Sequence, residues 1–155
     1  PANPTPAPTP RGEGVVPERD IYSVVLGTPI DEIDKMGLLG DVYFDFDKAE
    51  IREQDRATLS QNADTLKRFD FLRITGEGHC DERGTVEYNL ALGNRRAAVA
   101  QRYLINQGVA ASQITIVSYG EERPVNPAND EAAWAENRND QFTPTAGGNN
   151  LMAPK

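Results

Sequence analysis

Between Gly78 and Gln107 the chain reads GHCDERGTVEYNLALGNRRAAVAQRYLINQ, a polar turn that runs into a segment of helical period. From about Thr85 the apolar residues Leu92, Val99 and Tyr103, with Ala100 and Leu104 beside them, recur at helical spacing until Gly108 ends the pattern. A charged loop therefore feeds directly into a helix N-terminus.

On that helix Asn89, Leu92 and Arg96 are separated by three and then four residues, which keeps them on one narrow stripe. Asp81 precedes the helix, so an acidic group lies near one end of the stripe and a guanidinium about two turns along it. Opposite charges held apart on a rigid frame suit a zwitterion, because Asp accepts an ammonium while Arg grips a carboxylate with two parallel hydrogen bonds. An amino-acid headgroup is the ligand class this arrangement favours. Solvated surface charges or i,i+4 partners have the same spacing, so the stripe alone does not decide between them.

The flanking segments alternate in period. DVYFDF sets Val42, Phe44 and Phe46 against Asp41, Tyr43 and Asp45, a strand with one apolar face. Between Glu50 and Phe69, Leu59, Ala63 and Leu66 mark a surface helix. LRIT from Leu72 reads as a strand running into Gly76 and Gly78, where missing side chains allow a close backbone approach. Gly108 lies where a left-handed C-cap is wanted, and after VAASQ the run ITIVSYG gives a strand with Ile114 and Ile116 on one face. This alternation predicts an α+β fold with helices layered on a sheet. Upstream, the β-branched run IYSVVLG, bounded by Gly27 and Pro29, predicts a short strand or extended arm, and PIDEIDKMGLL a helical turn.

At 155 residues, 38% of them apolar, the chain is long enough for one core. The uncharged, proline-rich start PANPTPAPTP cannot contribute to that core and reads as a spacer, either a tether or a disordered end. A net charge of −8 repels a phosphate backbone, which excludes nucleic acid as a partner. Cys80 is the single cysteine, and with only His79 adjacent it reads as a space-filler rather than a nucleophile. His79 reads as a structural histidine and the neighbouring Glu82 and Arg83 as a solvated pair. A lone His and a lone Cys do not complete a metal set. No run approaches the ~18 apolar residues of a membrane span, so any anchoring segment is expected outside this chain.

The blocks GHCDERGTVEYNLALGNRRA, VYFDFDKAEI upstream and ITIVSYGEERPV downstream together resemble the OmpA-like peptidoglycan-binding domain, from about Asp41 to Arg138. The resemblance implies a βαβαβ(β) two-layer sandwich, a mixed sheet with helices on one face, and a fourth strand after NPANDEAAWAENR. It divides the chain into a linker over 1–20, an N-terminal extension over 21–40, the binding domain over 41–145 and a flexible tail over 146–155. The last strand departs from the family pattern. Asn139 replaces a second arginine, Phe142 is the sole apolar anchor, and Pro144 would confine the strand to an edge.

In the family's binding mode Asp81 receives the ammonium of a meso-diaminopimelate side chain in a peptidoglycan stem peptide and Arg96 its terminal carboxylate. Asn89 hydrogen-bonds the ligand, Leu92 walls the pocket, and Phe46 and Asp47 line it from the end of the first strand. The resemblance further implies a non-enzymatic anchor between outer membrane and wall, located in the periplasm, without cofactor and with Tol-system proteins as partners. Two other readings stay open: the wall-binding domain of a porin or motor stator, and a wall hydrolase using Asp45 and Asp47, on one strand face, as acid and base.

Overall fold

The computed structural model describes residues 18–146. The spacer expected over Pro1–Pro10 and, except for Ala146, the tail expected over 146–155 lie outside the described residues.

The first described element corrects an expectation. IYSVVLG is no strand: it belongs to helix α1, Glu18–Leu26, which begins inside the stretch assigned to the linker. Ile21, Tyr22 and Val25 fall on one helical face, where Val25 is fully buried and the Tyr22 ring meets Phe71 edge-on at 5.3 Å. Burial against Phe69 and Phe71 outweighs the weak strand preference of β-branched residues. The Tyr22 hydroxyl also donates to the Asp70 carboxylate at 3.0 Å. Helix α2, Ile30–Lys35, follows as predicted and buries Ile33. Residues 21–40 thus contribute Val25 and Ile33 to the core.

Strand β1 is confined to Val42–Tyr43, and after a 3-10 turn comes helix α3, Arg56–Arg68. Strand β2 covers Arg73–His79, helix α4 Val86–Asn106, strand β3 Ile114–Gly120, helix α5 Glu131–Asn137 and strand β4 Asn139–Ala146. The sheet order is β1-β4-β2-β3. β2 and β3 run parallel, which demands a long crossover, and α4 provides it. β4 runs antiparallel to both β1 and β2. The mixed sheet covered by helices is the two-layer α+β arrangement that the sequence predicts.

β4 also corrects an expectation. Despite Pro144 it is an interior strand, paired with β2 along most of its length. β1 pairs only with Asn139 and Asp140, so Pro144 sits where the other flank of β4 has no strand beside it. Phe142, 7% exposed, packs over Gly76 of β2.

α4 lies on β2 and β3, and α3 packs against α4. Leu59 and Leu66 of α3, Leu72 and Ile74 around the start of β2, and Ala100 and Leu104 of α4 form the core with Val25 and Ile33. Gly108, with φ +105, caps α4 as predicted. At the centre of the layer Gly78 touches Gly93 backbone to backbone: a methyl built on Gly78 would lie 1.8 Å from the Gly93 carbonyl oxygen.

His79 ends β2 almost fully buried, its Nε2 3.3 Å from Glu77 Oε1 and its ring 5.5 Å from Tyr119, while Nδ1 has no partner. Burial lowers its pKa below the usual value, with Glu77 opposing. A base whose folded pKa is depressed contributes stability that is present above the unfolded value, about 6.5, and is lost as pH falls. His79 is the chain's sole histidine. Wild type is therefore expected to lose stability relative to a His79→Gln variant between about pH 7 and 5. A constant difference in melting temperature across that range would contradict this.

Candidate ligand-binding site

A cavity of about 380 Å³ opens between the segment after β1, the loop after β2 and the first turns of α4. Phe46, Asp47, Asp81, Asn89, Leu92 and Arg96, the six residues singled out from the sequence, all line it. Cys80, Arg83, Gly84, Thr85 and Tyr88 complete the wall.

The loop is fixed by short-range bonds. Gly84 takes φ +100, and Thr85 caps α4 by accepting the Tyr88 N–H at 3.0 Å. The Asn89 amide nitrogen donates to the Arg83 carbonyl at 2.8 Å, to Glu121 Oε1 at 2.7 Å and to the Asp81 carbonyl at 3.3 Å. The amide donors of Asn89 thus hold the loop, and at 2% exposure it forms part of the wall.

Asp81 is 4% exposed and accepts four hydrogen bonds. Arg83 supplies its backbone N–H at 3.0 Å, Nε at 3.2 Å and a terminal nitrogen at 2.8 Å, and Arg138 adds a contact at 3.4 Å. Burial raises the Asp81 pKa, but the hydrogen bonds and charge of Arg83, with help from Arg138, outweigh it, so the carboxyl titrates below its usual range. Arg83 is therefore not the solvated partner of Glu82. It clamps Asp81 while its guanidinium lies between the rings of Phe46 at 3.9 Å and Trp134 at 4.1 Å.

Arg96 is 1% exposed, with its guanidinium 5.0 Å from the Phe44 ring centre. Its Nε donates to the Lys48 carbonyl at 2.8 Å, and its two terminal nitrogens donate to the His79 and Asp45 carbonyls at 3.0 Å each. Two of its five N–H groups remain, one on each terminal nitrogen, the number a bidentate carboxylate takes. Among the described residues it makes no ion pair. Burial lowers its pKa, although the group stays charged. The site thus holds a rigid cation that lacks an anion.

At the rim Phe46 is 51% exposed, against its expected place on the apolar face of the first strand. The strand ladder ends at Tyr43, and Asp47 turns the chain with φ +60, a left-handed conformation that Asp tolerates better than most residues. The same turn separates the two acids of the hydrolase reading. Asp45 points to Arg52 at 3.7 Å, and Asp47 accepts from the Tyr88 hydroxyl. They do not share a strand face. Cys80 is buried, its Sγ lies 3.2 Å from the Asn89 carbonyl, and burial pushes its thiol up to about 11, which disfavours the thiolate.

Three participants escaped the sequence reading: Arg83, Arg138 and Trp134. For Arg83 a signal existed, since a cation two residues after a buried acid in a Gly-terminated turn can fold back onto it. Trp134 and Arg138 arrive from α5 and its C-cap, distant in sequence, and no local pattern announces them.

Residues 43–138 match the OmpA family. A protein of Mesorhizobium japonicum named peptidoglycan-associated lipoprotein is 48% identical over 101 residues, covering 64% of this chain and 60% of that protein. Its namesake from Pseudomonas putida is 50% identical over 96 residues, covering 62% and 57%. The matched part thus spans less than two thirds of these relatives' length. The crystal structure of the peptidoglycan-associated lipoprotein from Burkholderia pseudomallei superposes with a TM-score of 0.66 at 45% identity, over 68% of this chain and 89% of that one. A C-terminal domain of Helicobacter pylori MotB has the same fold, with a TM-score of 0.67 at 19% identity over 73% of this chain and 89% of that domain. The family match covers most of the chain and contains the cavity-lining residues, and we conclude that this chain belongs to the OmpA family.

Proposed function

We propose that the cavity binds the zwitterionic end of meso-diaminopimelate in a peptidoglycan stem peptide, and that the domain thereby anchors an outer membrane to the wall without enzymatic turnover. The observation that carries this reading is Arg96, a buried guanidinium with two N–H groups left and, among the described residues, no ion-pair partner, on the same cavity as the Asp81 carboxylate. The ligand's carboxylate meets Arg96. Its ammonium meets the acidic side of the cavity, where it shares Asp81 with Arg83 and lies near Asp47 at the rim. Leu92 and Phe46 flank the methylenes, and Asn89 keeps the loop in place. The names of the relatives support the polymer, and the same reading places the domain in the periplasm with Tol-system proteins as partners.

Two charge-assisted contacts of about 1.5–3 kcal/mol each, with buried methylenes at about 0.8 kcal/mol apiece, reach a micromolar Kd only at their favourable end. A wall presents many stem peptides, so tethered copies gain retention by avidity.

The test is retention on insoluble peptidoglycan. Wild type is expected to sediment with it and Asp81→Asn to do so at least about tenfold less, the consequence of losing one charge-assisted contact. Free diaminopimelate should release the protein and its carboxyl-amidated form should not. Equal retention of the folded variant and wild type would defeat the site, and soluble fragments appearing during incubation would overturn the non-enzymatic reading.

A further inference from the structure

Close to Arg96 on the neighbouring strand is a second buried carboxyl that the binding site leaves unused: Asp140 pairs with Gly78, next to His79, whose carbonyl accepts from Arg96. Asp140, on β4 between Val42 of β1 and Gly78 of β2, is 0% exposed, and neither of its side-chain oxygens has a hydrogen-bond partner. A carboxyl group without partners in a protein interior is costly when charged. Arg96 and Asp140 interact electrostatically but, among the described residues, make no ion pair, and three backbone carbonyls hold the guanidinium. One buried cation therefore has two candidate anions, the Asp140 side chain and the ligand.

We propose that Asp140 is a positioning residue that governs anion capture by Arg96: as the uncharged acid it leaves the guanidinium to the ligand's carboxylate, and once ionised it replaces the ligand as counter-charge and weakens binding. The proposal rests on the reading that the cavity takes a carboxylate. Burial supports it by raising the Asp140 pKa well above the usual carboxylate value, with Arg96 opposing. A ligand carboxylate arriving at Arg96 adds a like charge nearby, which raises it further, so binding and proton retention reinforce each other. The other titratable or charged groups around this pair are Cys80 and Asp81 from the loop after β2 and Arg138 ahead of β4.

The experiment measures the affinity of free meso-diaminopimelate for wild type and Asp140→Asn from about pH 5.5 to 9.5. At the acid end the two should agree within about twofold. As pH rises, wild type should weaken about tenfold more than the variant, the factor that one unit of coupling produces. Titration of the ligand's own ammonium affects both proteins alike and cancels in the ratio. Superimposable pH profiles would overturn the role of Asp140 while leaving the cavity reading intact. Absence of binding by wild type at every pH would overturn the cavity reading itself. A measurement without a variant, the ¹³C resonance of the Asp140 carboxyl, should show its titration midpoint rise on ligand saturation, and an unmoved midpoint would overturn the proposal.

Discussion

Gly78→Ala is expected to lower the melting temperature by about 10–20 °C, the result of about 3 kcal/mol or more of steric strain. The added methyl would fall 1.8 Å from the carbonyl oxygen and 2.5 Å from the carbonyl carbon of Gly93. Both are backbone atoms, so no rotamer change relieves the clash and α4 must lift from β2. Gly27→Ala is the contrast, since its methyl would meet nothing closer than the Ser23 carbonyl at 3.6 Å, and it should cost less than about 1 kcal/mol. The check is a thermal melt of both variants by circular dichroism. Similar melting of Gly78→Ala and wild type would mean that the helix and strand are not in this contact.

Arg96→Ala should be the most damaging change at the site, on two separate counts. It removes the anchor for the ligand's carboxylate, and it leaves the carbonyls of Asp45, Lys48 and His79 without their donor. The His79 contact is buried and the other two are partly buried; an unpaired acceptor costs about 1–3 kcal/mol where water cannot reach it, so a loss of about 2–4 kcal/mol in urea unfolding is expected. Peptidoglycan retention should vanish with it. Arg96→Lys separates the two effects. It keeps the charge but not the planar fork, so it should recover part of the stability and little of the retention. A fall of less than about 1 kcal/mol for Arg96→Ala would show that the guanidinium does not tie these segments together.

The legibility of the site follows from its locality. Asp81, Asn89, Leu92 and Arg96 lie on one loop and one helix, so the period of 3.6 residues alone places them together. Phe46 and Asp47 were placed by resemblance. What the sequence concealed depended on partners distant along the chain. The charge of Arg83 is visible, but not that it is clamped to Asp81 between Phe46 and Trp134. The β-branched run of α1 looks like a strand until Phe69 and Phe71 are there to receive one helical face. Pro144 looks incompatible with an interior strand until the shortness of β1 is known. In each case packing against a remote segment overrides a weak local preference.

The strand order carries a consequence for how the chain is made. β4 is the last of the described strands, yet it separates the first two, and its flanking Arg138 ties the Phe44 carbonyl to Asp81. Until the C-terminal part emerges, the nascent polypeptide exposes two unsatisfied sheet edges and an incomplete binding site. Folding therefore finishes by insertion rather than by addition at a margin, and a chain cut short before Asn139 would lack the middle of its sheet, not merely its end.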